Sequence, residues 1–228
     1  MQVYYDLHIH SALSPCGDLD MTPNNVVNME KLKGLDMISL TDHNTACNLS
    51  SFKKIADDAG ITFLPGIELN TSEEVHLLAY FYDIDNACEF GDYIYNSLPD
   101  IKNDEKLFGP QIILDENDEP KGSLDKLLFS ALPFSFDECL DLITKAGGVP
   151  VPAHINRESN SLIYMMGFIP ESDLFHTVEV YDNGNFPDTG NLKIITSSDA
   201  HYLENIHEKE YALELSDNSI KSLLNFIK

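Results

Sequence analysis

Histidines and carboxylates recur in closely spaced pairs along this chain. His8 and His10 are two residues apart near the start, and Asp199 and His201 repeat that spacing near the end. In an extended strand, residues i and i+2 project from the same face, so each pair can present two donor atoms to one ion. Imidazole nitrogens and carboxylate oxygens are good ligands for divalent transition metals. The two pairs therefore indicate a metal site.

Further donors of the same kind stand near the ends of other predicted strands. These donors are His43, Glu68, His76, His154 and Glu179. Each motif alone has an ordinary explanation, because histidines also occur in half-buried strands and a lone glutamate also caps helices or lies on the surface. The prediction rests on their coincidence, since six of the eight histidines lie near strand ends. His176 and His207 do not fit the pattern and are expected to be ordinary surface or core residues.

Short apolar runs alternating with helical segments position these donors. Strands are predicted over 3–9, 37–41, 62–67, 75–81, 148–153, 177–181, 193–196 and 210–215. Cap and stop signals predict helices over 22–33, 51–59, 135–146 and 219–228. This alternation predicts an α/β fold with a mostly parallel sheet. In a closed barrel, the C-terminal ends of parallel strands meet at one rim, so distant donors can share a pocket there.

The region from 83 to about 132 interrupts the alternation. Residues 83–120 contain eleven acidic and two basic residues, together with several turn formers. We interpret 83–132 as an acidic insertion or lid on a single domain that comprises residues 1–228. A strand at 111–114 and a polar turn at 115–122 are predicted within it. A solvated acidic loop without a role in chemistry is the alternative.

Composition narrows the class of protein. The 228 residues include 14 Lys and Arg against 38 Asp and Glu, a net charge of −24. Such a surface repels polyanions, whereas bound cations would cancel part of the charge. The apolar runs are too short to span a membrane and no export signal is visible, so a cytoplasmic protein without a membrane partner is expected. The four cysteines form no CxxC pair and are expected to be reduced and mostly buried.

The order of these motifs is similar to that of a known family. DLHIHS, TDHN, GIEL, EVHLL, PAH and SSDAH resemble the motifs of the PHP (polymerase and histidinol phosphatase) metallo-phosphoesterases. The resemblance runs from about residue 4 to residue 215, apart from the acidic region. It implies a distorted (β/α)7 TIM-like barrel that binds two to three Zn, Mn or Fe ions and hydrolyses phosphate esters. The family's substrates are phosphomonoesters such as histidinol phosphate, nucleotides, and the ends of nucleic acids.

The same resemblance implies the metal ligands. The first metal would bind His8, His10, Glu68 and Asp199, and the second would share Glu68 and add His76 and His154. The third would bind His43, His201 and a ligand from the loop after the first strand. Family members often place that ligand where this chain has Pro15, so Asp18 is the expected replacement, with Asp20 and Cys16 as alternatives. The expected catalytic residues are His8, His10, Glu68, Asp199 and His201.

Arg157 is the only arginine in the chain and follows His154 by three residues. A guanidinium group matches two phosphate oxygens, so Arg157 is expected to bind the substrate phosphate. A surface ion pair is the alternative. The chemistry expected is attack by a metal-activated hydroxide. With the acidic region covering one side of the site, a small phosphorylated metabolite or nucleotide is the expected substrate, and long nucleic acid is not.

Other acidic and amide residues near the motifs are expected to support the ligands. Asp6 lies on the same strand face as His8 and His10 and is expected to accept an N–H from an imidazole ring. Asp42 precedes His43 and is expected to support a ligand or to donate a proton. Glu179 is expected to orient a ligand, contact substrate or be structural, and Asn183 and Asn185 follow it.

Two further functions stay open at this point. An amidohydrolase-like enzyme that cleaves C–N bonds also opens with a His-x-His motif and closes with an aspartate. A non-catalytic metal-binding module is the other alternative. The sequence does not specify an oligomeric state.

Overall fold

A computed structural model of the chain describes residues 1–182, 184 and 186–228, which form a mixed α/β fold. The strands are β1 (Gln2–Ile9), β2 (Met37–Leu40), β3 (Thr62–Asn70), β4 (His76–Tyr80), β5 (Ile112–Leu114), β6 (Pro120–Ser123), β7 (Val149–Pro152), β8 (Thr177–Glu179), β9 (Lys193–Ile195) and β10 (Ala212–Glu214). The helices are α1 (Pro23–Lys33), α2 (Leu49–Ala59), α3 (Ile84–Ser97), α4 (Glu105–Phe108), α5 (Phe136–Lys145), α6 (Leu162–Met166) and α7 (Ile220–Ile227). Asn183 and Asn185 lie outside the described residues.

Six strands form the main sheet, in the order β10-β1-β2-β3-β4-β7. Strands β1, β2 and β3 are parallel, whereas β4 is antiparallel to both of its neighbours and β10 is antiparallel to β1. The expectation of a mostly parallel sheet is therefore wrong for β4 and β10. Residues 71–75 alone connect β3 to β4, and so short a connection permits only an antiparallel pair. Consequently, the first residue of β4 lies beside the last residue of β3.

A parallel pair, β8 and β9, lies between β7 and β1. On one side the N–H of Ile155 donates to the carbonyl of Glu179 at 2.9 Å, and on the other the N–H of His10 donates to the carbonyl of Ala200 at 2.9 Å. These bonds connect the pair to the segments that follow β7 and β1 and continue the curl of the main sheet. The expected TIM-like α/β architecture is confirmed in this barrel-like curl.

Two apolar clusters hold the sheet in place. Met37 and Ile38 are adjacent in β2 but belong to different clusters, because successive side chains of a strand point to opposite faces. The larger cluster joins the sheet to α1, α2, α3 and α5. The smaller cluster includes Leu223, Leu224 and Ile227 of α7. The predicted C-terminal helix therefore packs against the face of the sheet opposite the larger cluster.

The region 83–132 contains more regular structure than the sequence prediction gave it. Its first part is α3, a helix of 14 residues whose buried face includes Ala87, Phe90, Gly91 and Ile94. Their spacing of three and four residues was the available signal, and the acidic residues between them obscured it. The predicted strand and turn at 111–122 correspond to the β5–β6 hairpin.

The cysteines are less buried than expected. All four are free thiols, but only Cys139 is buried, whereas Cys16 and Cys88 are partly exposed and Cys47 is exposed. Among the described residues, the helices are all too short or too polar to cross a lipid bilayer.

Candidate metal centre

Eight of the predicted ligands converge at one edge of the curled sheet. They come from the ends of β1, β3 and β7, the start of β4, and the segments that follow β2 and β9. The antiparallel direction of β4 brings its first residue to the edge where the parallel strands end. The eight residues are His8, His10, His43, Glu68, His76, His154, Asp199 and His201.

Glu68 is the centre of this arrangement and is fully buried. Its Oε1 faces three imidazole nitrogens and its Oε2 faces two, so each oxygen can serve a different ion. Nitrogens of five histidines lie 2.9 to 3.3 Å from these oxygens: His8, His10, His43, His76 and His154. Gly66, two residues before Glu68 on β3, allows close packing against the Ser39 side chain of β2. A Cβ at position 66 would lie only 2.6 Å from the Ser39 hydroxyl.

Three donor atoms have the mutual spacing of ligands in a tetrahedral metal site. The Nε2 atoms of His8 and His10 are 3.2 Å apart, and they lie 3.3 and 3.1 Å from Asp199 Oδ1. Glu68 adjoins the two imidazoles through different oxygens, with Oε1 at 3.2 Å from His8 Nε2 and Oε2 at 3.3 Å from His10 Nε2. Ligands about 2.0 Å from a tetrahedral ion are about 3.3 Å from one another. The spacing of these three atoms therefore fits three ligands of one transition metal.

Unpaired buried atoms support the same conclusion. His43 Nδ1, His76 Nδ1, Glu68 Oε2 and Asp199 Oδ1 are buried, and none forms a hydrogen bond with any described residue. Yet His43 Nδ1 lies only 3.0 Å from Glu68 Oε2, and His76 Nδ1 lies 2.9 Å from Glu68 Oε1. Buried polar atoms without partners are costly, and a shared cation would satisfy them. The residues present thus fit divalent metals.

The donor atoms fall into three overlapping groups, each compact enough to hold an ion. These are His8, His10 and Glu68; His43, Glu68 and His76; and His10, His43 and His201. His43 therefore belongs to two groups, whereas the resemblance placed it only with His201. His154 reaches the centre through its Nε2, 3.3 Å from Glu68 Oε1.

The loop expected to supply another ligand does not join these groups. Asp18, Asp20 and Cys16 are absent from every such group among the described residues. The Asp18 side chain accepts the N–H of Asp20 at 2.9 Å, while its own N–H donates to the carbonyl of His201 at 2.9 Å. Asp18 as a ligand remains a prediction without a supporting contact.

Charge is distributed within the centre in a way that suits cation binding. Burial would raise the pKa of Glu68, but the surrounding histidines hold it well below its usual range. Burial lowers the pKa of His43 to about 3, and burial together with His10 lowers that of His201 to about 4. Burial would also lower the pKa of His10, but the carboxylates of Asp199 and Glu68 raise it to about 9. A metal would replace the proton on His10.

Glu179 orients His8. Its Oε2 accepts a hydrogen bond from Nδ1 of His8 at 2.8 Å and another from the backbone N–H of His154 at 3.0 Å. With Nδ1 donating, the Nε2 lone pair of His8 is directed at Glu68 and Asp199. Of the three roles predicted for Glu179, orienting a ligand is the one the contacts support.

Asp42 acts on His10 through Ser14. The Ser14 hydroxyl donates to Asp42 Oδ1 at 2.7 Å and lies 3.0 Å from His10 Nδ1. It also accepts the backbone N–H of His43 at 3.2 Å. Ser14 therefore links two candidate ligands, a role that sequence reasoning missed because a single serine in a loop carries no distinctive signal.

The expectation for Asp6 is wrong. Its Oδ1 accepts the N–H of Ser198 at 3.0 Å and its Oδ2 accepts the N–H of His207 at 3.1 Å. Asp6 therefore holds the segment that carries Asp199 and His201 rather than an imidazole ring. Burial raises its pKa.

Replacing Ser14 with Ala should weaken metal binding at His10 about 10- to 100-fold, because loss of a hydrogen bond that orients a ligand has effects of this size. Calorimetric titration of the metal-free protein with the metal ion measures the affinity. Ser39→Ala is the matched control, since Ser39 is also buried and, within the described part of the chain, its hydroxyl bonds only a backbone carbonyl at 3.5 Å. Equal affinities in the two variants would contradict the role of Ser14.

Two of the candidate ligands have unusual backbone conformations. His154 and Asp199 have φ values of 25° and 51°, in the left-handed region that few residues other than glycine adopt. Such conformations recur at functional sites, where surrounding contacts hold them in place. They accompany a His154 side chain directed at Glu68 and an Asp199 side chain directed at His8 and His10.

Arg157 lies at the edge of the centre. Its guanidinium forms an ion pair with Asp199 and lies over the ring of Tyr181, 5.1 Å from the ring centroid. It borders a chamber of about 170 Å³ that is also lined by Glu68, His76 and Phe129. The ion pair is therefore made with a candidate ligand at the mouth of the centre.

Comparison with known proteins gives consistent results. Residues 6–218 match the family described as the PHP domain. The chain is 29% identical over 82 residues to a 5'-3' exoribonuclease of Haemophilus influenzae, covering 35% of this chain and 29% of that protein. It is 33% identical over 76 residues to an uncharacterised protein of Methanocaldococcus jannaschii, covering 30% of this chain and 44% of that protein. The matched stretches thus span less than half of these relatives.

Solved structures show the same fold. The lesion-specific endonuclease PfuEndoQ from Pyrococcus furiosus superposes with a TM-score of 0.68 at 19% identity, covering 100% of this chain and 56% of that one. A protein described as a candidate metal-dependent phosphoesterase from Bifidobacterium adolescentis superposes with a TM-score of 0.64 at 18% identity. The superposition covers 96% of this chain and 95% of that one. At these identities the likeness establishes the architecture alone.

Proposed function

The chain belongs to the PHP domain family, and on that basis we propose that it is a hydrolase that cleaves phosphate esters with the help of bound metals. The observation that carries the proposal is the convergence of five histidines on the buried carboxylate of Glu68. The only arginine of the chain lies beside this centre. Cation ligands beside a guanidinium group suit phosphoester hydrolysis, because both can stabilise charge on a phosphoryl group.

We assign two to three divalent ions, Zn, Mn or Fe, to the centre. When bound, closely spaced cations lower the pKa of a water molecule and take up charge from a phosphoryl group. Glu68 would set the spacing of the ions, and His8 and His10, held by Glu179 and Ser14, would keep their nitrogens directed inward. The assigned catalytic residues are His8, His10, Glu68, Asp199 and His201, and the further ligands are His43, His76 and His154.

The remaining residues of the chamber would act on the substrate. Arg157 would bind two phosphate oxygens through its guanidinium, since it lines the chamber beside Asp199 and a guanidinium matches phosphate geometry. Phe129 packs against His43 with ring centroids 4.9 Å apart and would exclude water from that side. Phe129 belongs to the segment 83–132, and this contact supports a role for that segment in covering the mouth.

We propose a small phosphorylated metabolite or a nucleotide as the substrate. The net charge of −24 opposes binding of a long polyanion. Nucleic acid is the second candidate, because one relative is named an exoribonuclease and one structural neighbour is an endonuclease bound to a 27-mer duplex with an abasic lesion. A 5'-phosphorylated oligonucleotide cleaved faster than any small ester would favour this second candidate.

A substrate panel tests the proposed reaction. Metal-loaded protein should release phosphate from p-nitrophenyl phosphate, histidinol phosphate or nucleoside monophosphates and should leave a panel of amides intact. Hydrolysis of amides alone would indicate a C–N hydrolase. Fully metallated protein that hydrolyses no member of a wide phosphoester library would indicate a metal-binding module without catalysis.

Replacing Arg157 with Lys should lower kcat/KM for a phosphomonoester about tenfold, through a higher KM or a lower kcat, because an ammonium group cannot form the two parallel hydrogen bonds of a guanidinium. Metal content measured by atomic emission should not change. Lys145→Met is the control, since Lys145 is an exposed cation paired with Asp141. Unchanged kinetics in the Arg157 variant would remove its role in phosphate binding.

A further inference from the structure

A second, larger cavity adjoins the metal centre. Its volume is about 670 Å³, within the usual range for small-molecule sites. It shares Arg157, Asp199 and His201 with the 170 Å³ chamber that contains Glu68. A phosphate group held at those three residues would therefore project the rest of its ester into the larger cavity.

Aromatic side chains line this cavity. Tyr181 and Tyr202 are 40% and 48% exposed, so a large part of each ring is accessible. His207 and Tyr211 pack together in the wall with ring centroids 4.7 Å apart. His207 thus lines a cavity, although the sequence analysis assigned it no role. Accessible tyrosine rings are the surfaces on which nucleobases stack.

The cavity wall carries two carboxylates besides Asp199, and an ionised carboxylate only accepts hydrogen bonds. Asp182 and Glu210 lie in its wall, and the carboxylate of Asp182 accepts the Tyr211 hydroxyl at 2.6 Å. Among the described lining residues, Arg157 is the only arginine or lysine. These carboxylates would repel a second phosphate and would accept hydrogen bonds from ring amino groups. A neutral, flat ring that carries N–H donors fits both properties.

We propose that this cavity binds the nucleobase of a mononucleotide whose phosphate occupies the metal centre, with Tyr202 as the principal stacking surface. The proposal rests on the proposed function and specifies its substrate. In the reaction, a water oxygen forms a bond to phosphorus and the bond from phosphorus to the nucleoside oxygen breaks. That oxygen takes a proton, so the products are a nucleoside and inorganic phosphate.

Binding of adenosine, which carries no phosphate, tests the subsite independently of catalysis. Calorimetry on metal-loaded protein should detect adenosine, and Tyr202→Ala should weaken its affinity at least about fivefold, the lower limit for loss of a stacked aromatic ring. Tyr202→Phe keeps the ring and should keep the affinity. Tyr82→Ala removes an exposed tyrosine outside the cavity lining and should have no effect. Failure of adenosine to bind, or equal binding by all variants, would overturn the proposal.

Kinetics separate the subsite from the reaction. Tyr202→Ala should lower kcat/KM for adenosine 5'-monophosphate at least about fivefold and leave that for glycerol phosphate unchanged. Suppose that the wild-type protein hydrolyses glycerol phosphate, but Tyr202→Ala lowers kcat/KM equally for glycerol phosphate and adenosine 5'-monophosphate, or lowers neither. The subsite proposal then fails and the proposed function stands. If no ester is hydrolysed but adenosine binding depends on Tyr202, the proposed function fails and the subsite stands.

Discussion

Replacing Glu68 with Gln should lower kcat/KM for a phosphomonoester by about 10³-fold or more and should release at least one metal ion per chain. Glu68 is buried among five imidazoles that hold its pKa well below the usual range, so it carries a full negative charge at neutral pH. An amide of the same shape cannot supply that charge or bridge two cations. Phosphate release and atomic emission on the same preparation measure both effects.

Glu74→Gln is the matched control for this variant. Glu74 lies six residues further along the chain and is exposed, so it should retain both activity and metal. Circular dichroism of both variants checks that the fold is intact. A Glu68→Gln protein that kept wild-type activity and metal content would show that chemistry occurs elsewhere in the molecule.

Removing the metals should lower the melting temperature by about 10 °C. An ion present at 1,000 times its dissociation constant stabilises the folded state by about 4 kcal/mol, and each kcal/mol is worth about 2 to 4 °C for a domain of this size. Binding satisfies the buried unpaired atoms of His43, His76, Glu68 and Asp199, which remain without hydrogen bonds otherwise. Calorimetric scans before chelation, after chelation and after addition of Mn²⁺ or Zn²⁺ measure the change.

Metal counting completes this second experiment. The centre should hold two to three ions per chain, and His10→Ala should lose at least one because His10 belongs to two of the three donor groups. Metal affinity should fall as the pH falls, since the pKa of His10 in the metal-free site is raised to about 9 and its proton competes with the ion. A wild-type stoichiometry at or below one, or a melting temperature insensitive to metal, would contradict the multinuclear centre.

The residues themselves determined the element types and the donor chemistry. Each of the nine predicted strands corresponds to a strand of the structure, and the predicted helix at 22–33 corresponds to α1, capped by Thr22 and ended by Gly34. These features depend on neighbours within a few positions, such as alternation of apolar residues, capping side chains and a glycine with positive φ. The i, i+2 spacing of His8 and His10 likewise predicted two nitrogens on one face, and their Nε2 atoms lie 3.2 Å apart.

Only the tertiary structure decided which of these groups meet. The direction of β4 brings His76 to Glu68, Glu179 rather than Asp6 orients His8, and Asp18 lies apart from the donor groups. His8 and Asp199 are 191 positions apart, yet their ligand atoms are separated by 3.3 Å. Contacts of this kind depend on strand order, register and the left-handed turns at His154 and Asp199. Because these are set by packing over the whole chain, local residue patterns cannot specify them.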